Sequence, residues 1–216
     1  MFQPRQNSWK EKWQIAWQST TFRKKFIVGF SLLVVILSLF PFFFQLIEKR
    51  NGILLNDLVL VRMPSHDVSI SIFIIIWTTS LLIIVRGIQY PDIFLEFLWA
   101  YVFLCLSRML SIALVPLDPP RDLLPLADPI SNAFYGHEFV TKDLFFSGHT
   151  ATVFLIAYCL RKKADKLFAL LASILIGILL LIQHVHYTID VIAAPLFAYL
   201  IYFISRRIIK PYEPQP

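Results

Sequence analysis

The chain of 216 residues is 57% hydrophobic and 15% aromatic, carries only 16% charged residues, and has a mean hydropathy of +0.67. A soluble domain has about 25% charged residues, so this composition excludes a water-soluble globule, and 20 Phe, 8 Tyr and 5 Trp exclude a disordered chain. The formal net charge of +6 is spread in short basic clusters between apolar runs, which argues for membrane topology and against a nucleic-acid partner. Cys105 and Cys159 both lie inside apolar runs and offer neither a disulfide framework nor a CxxC metal site.

The first 25 residues are polar and basic, without the apolar core of a cleavable signal peptide. Trp9, Trp13 and Trp17 recur at i, i+4 spacing, and Ser8 with Glu11 has the S-x-x-E form of a capping box. This pattern predicts a short amphipathic helix at the headgroup level, with indoles in the interface and Lys10 and Lys12 toward anionic lipid; an unstructured tail is the plainer alternative.

A bilayer core about 30 Å thick needs about 20 apolar residues per helix. Six candidate spans follow: Phe26–Ile47 with a kink at Pro41, Val68–Val85, Ile93–Val115, Leu144–Leu160, Leu167–Gln183 and Tyr187–Ser205. The expected fold is all-α, an integral membrane six-helix bundle: an interfacial arm over 1–25, the bundle over 26–207 and a tail over 208–216.

Six crossings put both termini on one side. Lys and Arg number 14 on that side and 5 on the other, and the positive-inside rule makes the first side cytoplasmic. The long segment from Pro116 to Asp143 and the starts of the fourth and sixth spans then lie on the non-cytoplasmic face. Counting a rise of about 1.5 Å per residue from each cytoplasmic edge puts His149 about 18 Å up, Arg108 and Asp190 about 24 Å and His186 about 30 Å. Four polar or ionisable residues from three spans thus converge in one half of the membrane, where such groups are costly and mark sites. Glu96, near the opposite edge, is expected to make a local contact there.

His186 and Asp190 are i, i+4, a spacing that stacks them on one helical face and lets the carboxylate take a proton from one imidazole nitrogen. A buried ion pair is the alternative. At Ser147-Gly148-His149-Thr150 a helix is expected to begin, presenting amides and hydroxyls suited to phosphate, with Gly148 allowing close approach; otherwise Ser147 is a helix cap and His149 a packing residue. Arg108 within an apolar span needs an anion, either a phosphate held by its fork or a carboxylate such as Asp190 or an acidic residue of the outer loop.

The segment Asp143-Leu144-Phe145-Phe146-Ser147-Gly148-His149-Thr150, followed by His186-Tyr187-Thr188-Ile189-Asp190-Val191, resembles the paired motifs of the sphingomyelin synthases, a branch of the lipid phosphate phosphatase superfamily. The stretch Arg108-Met109-Leu110-Ser111-Ile112 and the Pro-rich outer segment resemble that family more loosely. The resemblance implies that His186 is the nucleophile, Asp190 its orienting carboxylate and His149 the general acid and base, with Arg108, Ser147, Gly148 and Thr150 at the substrate phosphate. The soluble-phosphatase branch has a Lys-x6-Arg-Pro motif and a Ser-Arg pair shortly before the nucleophile, where this chain has Leu179 and Leu180. Phosphate binding therefore rests on Arg108 and the start of the fourth span.

The implied reaction moves a phospholipid head group, of phosphocholine or phosphoethanolamine type, to a lipid hydroxyl such as that of ceramide or diacylglycerol through a phosphohistidine. With water as acceptor it becomes a phosphatase. The expected partners are membrane phospholipid and lipid-alcohol substrates; no cofactor or metal is called for. Phe134 and Tyr135 could wall a quaternary ammonium. Two readings from other classes stand beside it: a transporter whose polar residues line a pathway, and haem ligation by His149, His184 or His186.

Overall fold

A computed structural model describes residues 8–126 and 140–209. Among them are seven α-helices: α1 (Trp9–Gln18), α2 (Thr20–Glu48), α3 (Ser69–Gln89), α4 (Pro91–Leu114), α5 (Gly148–Cys159), α6 (Lys163–Ile182) and α7 (Thr188–Ile209). No strand is present among the described residues, only an isolated bridge between Ile53 and Leu117. Five helices, α2, α3, α4, α6 and α7, are long and apolar enough to cross a membrane, which makes the chain a multi-pass membrane protein.

The expected six equal spans need one correction. The fourth is a helix of only 12 residues, about 18 Å long, too short to cross a 30 Å core alone. Phe145 (φ 69°) and Phe146 (φ 44°) are left-handed, so Leu144, Phe145 and Phe146 cannot extend the helix. Ser147 caps it, accepting from the Thr150 amide at 3.3 Å. α5 tolerates this length because it lies at the centre, touching α3, α4, α6 and α7. Ala151, Val153, Leu155, Ile156 and Ala157 are all buried in protein instead of facing lipid.

The N-terminal arm also differs from expectation. The capping box forms, with Ser8 N–H to Glu11 at 2.9 Å and Glu11 N–H to Ser8 at 3.3 Å. Yet α1 is docked on the bundle: the Trp13 indole donates to the Ile88 carbonyl at 2.8 Å and meets Phe22, Phe26 and Phe94 edge-on, while Ala16 is fully buried. Trp9 and Trp17 are exposed. The first membrane helix begins at Thr20, ahead of Phe26, and runs through Pro41 to Glu48.

Two polar belts close the bundle. At one end Arg86 forks onto Asp165 at 2.6 and 3.0 Å, Arg161 pairs with Asp92 at 2.5 Å, and Glu96 sits between Arg161 (3.6 Å) and Arg206 (3.4 Å), the local contact expected of it. At the other end Arg50 caps the last turn of α4 by donating to the carbonyls of Ile112, Ala113 and Val115, and Glu48 accepts from the Thr141 and Lys142 amides. Gln183, fully buried, ties three segments there: its side-chain amide donates to Ser69 (2.8 Å) and Pro125 (3.2 Å), and its oxygen accepts from Val68 (3.2 Å). Gln183→Leu strands those partners and is expected to cost about 1–3 kcal/mol, read as a lower unfolding midpoint in detergent with the helical content of the native state unchanged.

Candidate active site

The site lies where the starts of α5 and α7 meet the last turns of α4. Tyr187 stands at the N-cap position of α7, because its carbonyl accepts from the Asp190 amide at 3.0 Å and the Val191 amide at 3.3 Å. Asp190, at the third helical position, returns the favour: its Oδ2 accepts the Tyr187 N–H at 3.2 Å, the reciprocal half of a capping box. His186 therefore precedes the helix instead of sharing a helical face with Asp190. The pair still forms, with Nδ1 3.4 Å from Oδ2 and both side chains buried. At that separation the two are in polar contact without an aligned hydrogen bond. With Nδ1 facing the carboxylate, Nε2 is the nitrogen turned away from it.

One backbone hydrogen bond joins the two motifs: the Ser147 N–H donates to the Asp190 carbonyl at 3.0 Å. The start of α5, carrying His149, is thereby fixed against the start of α7. His149, at the second position of α5, is half-buried.

Arg108, buried on α4, reaches this junction. Its guanidinium donates to the Phe146 carbonyl and the Asp143 carboxylate and lies 5.3 Å from the Phe146 ring centre. Asp143, just before α5, is thus the acidic residue that answers the buried charge, not Asp190. Two contacts leave part of the five-donor fork over. The fork lies flat on Gly148: a Cβ there would stand 2.7 Å from both Cζ and Nε of Arg108. Thr150, about 200° further round the helix, turns the other way and packs toward Gly177 of α6. Of the residues expected at the phosphate, Arg108, Ser147 and Gly148 come together, whereas the Thr150 side chain lies on the far side of α5. Phe134 and Tyr135 lie outside the described residues. His184, with φ 56°, directs Nδ1 to the Arg121 carbonyl at 3.0 Å. Among the described residues no three His, Cys, Asp or Glu side chains gather as a metal-ligand group.

Sequence reasoning passed over the supports beneath this site. The Tyr187 hydroxyl donates to the Asp118 carbonyl at 2.8 Å and accepts the Leu55 N–H at 3.2 Å. Asp57 accepts the Thr188 N–H at 2.6 Å and its hydroxyl at 2.9 Å. Burial pushes the Asp57 carboxyl up, but the Thr188, Val59 and Leu60 amides outweigh it and hold it below the usual carboxylate range. A folded-state value below the unfolded one means that this tie contributes its stability above about pH 4 and loses it as pH falls through the folded-state value.

Residues 142–207 match the family model for the C-terminal region of the PAP2 superfamily. No curated protein and no solved structure matches the chain. The matched stretch holds Asp143, Ser147, Gly148, His149, His186 and Asp190, and Arg108 lies before it. The match, over less than half of the chain, supports a relation to the lipid phosphate phosphatase superfamily, whose members are phosphatases and phosphotransferases.

Proposed function

We propose that this protein is a lipid phosphotransferase that moves a phospholipid head group, of phosphocholine or phosphoethanolamine type, onto a lipid hydroxyl such as that of ceramide or diacylglycerol. The observation that carries the reading is the junction itself: a buried His186–Asp190 pair bound through the Ser147–Asp190 backbone bond to a helix start against which Arg108 is packed. A nucleophile oriented by a carboxylate, beside a cation and a helix amide end, is what phosphoryl transfer needs.

In the first step Nε2 of His186 attacks phosphorus and the bond to the leaving lipid oxygen breaks. His149 donates its proton to that alkoxide, while Arg108 and the amides of the first α5 turn stabilise the charge on the equatorial oxygens. Asp190 holds the Nδ1–H of the resulting phosphohistidine. In the second step neutral His149 takes the proton of the acceptor hydroxyl, the new oxygen–phosphorus bond forms and the bond to His186 breaks. Because the cycle starts with His149 protonated and His186 neutral, the rate is expected to be bell-shaped in pH. The excess of Lys and Arg at the end opposite the site supports a cytoplasmic placement of both termini and a non-cytoplasmic site.

The test follows a phosphorus-labelled phospholipid with ceramide and diacylglycerol both present, using the purified chain and His186→Ala. Label in a new lipid only with the native chain supports transfer and names the acceptor. Label in water makes the protein a phosphatase. No turnover across choline and ethanolamine donors removes the catalytic reading and favours a polar pathway.

A further inference from the structure

The geometry points to Asp57 as a positioning residue for the reaction proposed above: from a loop bearing none of the reacting groups, it fixes the first turn of α7 and so sets His186 against Asp190. The inference rests on the proposed function for its kinetic meaning, but the contact itself does not.

A helix start leaves amides without intrahelical partners, and a Ser, Thr, Asp or Asn at the N-cap normally meets them. Tyr187, at that position in α7, has no side-chain oxygen near its own backbone; its hydroxyl is engaged at Asp118 and Leu55. The missing cap comes from 131 residues earlier in the chain. Oδ2 of Asp57 accepts the Thr188 N–H, and Oδ1 accepts the Thr188 hydroxyl together with the Val59 (2.9 Å) and Leu60 (3.2 Å) amides. Those last two bonds lock the carboxylate to its own loop, which is in turn paired with the segment after α4 through Ile53 N–H to Pro116 (2.9 Å) and Asp118 N–H to Ile53 (3.1 Å). Asp67, by contrast, caps only its own turn, accepting from Ser69 at 3.0 Å. The pinned dipeptide Tyr187-Thr188 stands between the nucleophile and its carboxylate, so rotating the α7 start changes their separation directly. A carboxylate at a helix amide end is also favourable in charge.

The experiment compares Asp57→Ala and Asp57→Asn in the full chain, with ceramide as acceptor. Asp57→Ala is expected to lower kcat by about 10- to 100-fold with KM within about twofold, because reactive groups are displaced and the binding surface is not. Asp57→Asn keeps one of the two acceptor oxygens and is expected to recover part of that loss. A rise in KM at unchanged kcat, or equal losses in both variants, overturns the assignment. A second readout needs no turnover: the full chain labelled with ¹⁵N-histidine in micelles, its His186 ring signal assigned by loss in His186→Gln. Asp57→Ala should shift or split that signal and Asp57→Asn restore it; an unmoved signal in Asp57→Ala overturns the inference. A native chain inert toward every lipid, yet with a His186 signal that responds to Asp57→Ala, removes the proposed function and leaves the coupling standing.

Discussion

Replacing His186 by Ala is expected to lower head-group transfer by at least about 10⁴-fold, since the proposed reaction uses it as the nucleophile and a group that forms a covalent intermediate has no substitute in the remaining side chains. The fold should survive, because His186 lies in the turn before α7 and the cap of that helix is made by Tyr187, Asp190 and Asp57. Asp190→Asn is the informative companion. Its side-chain oxygen can still accept the Tyr187 N–H, so the helix start persists while the charge opposite Nδ1 disappears. Loss of the orienting carboxylate alone is expected to cost about 10²- to 10⁴-fold. In the double variant the two losses should not multiply, because both act on one imidazole. The checking measurement is single-turnover labelling: acid-labile phosphorus bound to the native chain, absent in His186→Ala and slow to form in Asp190→Asn. Bound label in His186→Ala would move the nucleophile elsewhere.

Gly148→Ala should also be damaging, though less than loss of the nucleophile, and for a steric reason. The added methyl would sit 2.7 Å from Cζ and Nε of Arg108 and 3.0 Å from Nη1, closer than carbon and nitrogen tolerate. A flexible side chain could swing aside, but this fork is held by the Asp143 carboxylate, the Phe146 carbonyl and the Phe146 ring, inside a buried junction. The expected result is a displaced guanidinium, turnover lower by about 10²-fold and stability lower by about 1–3 kcal/mol. Alanine's better helix propensity offsets only part of that. A cycle with Arg108→Ala separates causes: where Arg108 is already gone, the extra methyl has little left to hit and should add almost nothing to the kinetic loss. Equal effects of Gly148→Ala in both backgrounds would show that the glycine serves the α5 backbone alone.

Hydropathy located the five long apolar helices among the described residues, because an apolar run of about 20 residues has few ways to exist other than as a helix in lipid. The same counting overestimated α5. Leu144, Phe145 and Phe146 are apolar, so a window includes them, but the backbone turns left-handed at Phe145 and Phe146 without the Gly or Asn that would announce it. Trp13 was misplaced for a related reason: an i, i+4 indole row states which face is aromatic and not what lies against it, here the Ile88 carbonyl and Phe94.

At the site, depth counting put Arg108, His149, His186 and Asp190 in one half of the membrane, and in the structure the helix starts that carry or follow the histidines are joined, with Arg108 packed on one of them. Thr150 was expected at the phosphate from the helix start and the family motif, neither of which states rotation, and its side chain packs toward Gly177. The spacing of His186 and Asp190 suggested one helical face, whereas the pair meets across a helix start. Asp57 had no local signature at all: its partner Thr188 is 131 residues away, and only the folded chain makes the Asp57 carboxylate a cap.

The shortness of α5 bears on how the protein comes to exist. An 18 Å helix cannot rest in a bilayer by itself, and its apolar side chains are satisfied by α3, α4, α6 and α7. During synthesis it therefore has no stable position until α6 and α7 have entered to enclose it. The Ser147–Asp190 bond that seats its first turn also waits for α7, the last helix described. A nascent chain released early would hold Arg108 and His149 without the His186–Asp190 pair, and so without the junction on which the proposed reaction rests.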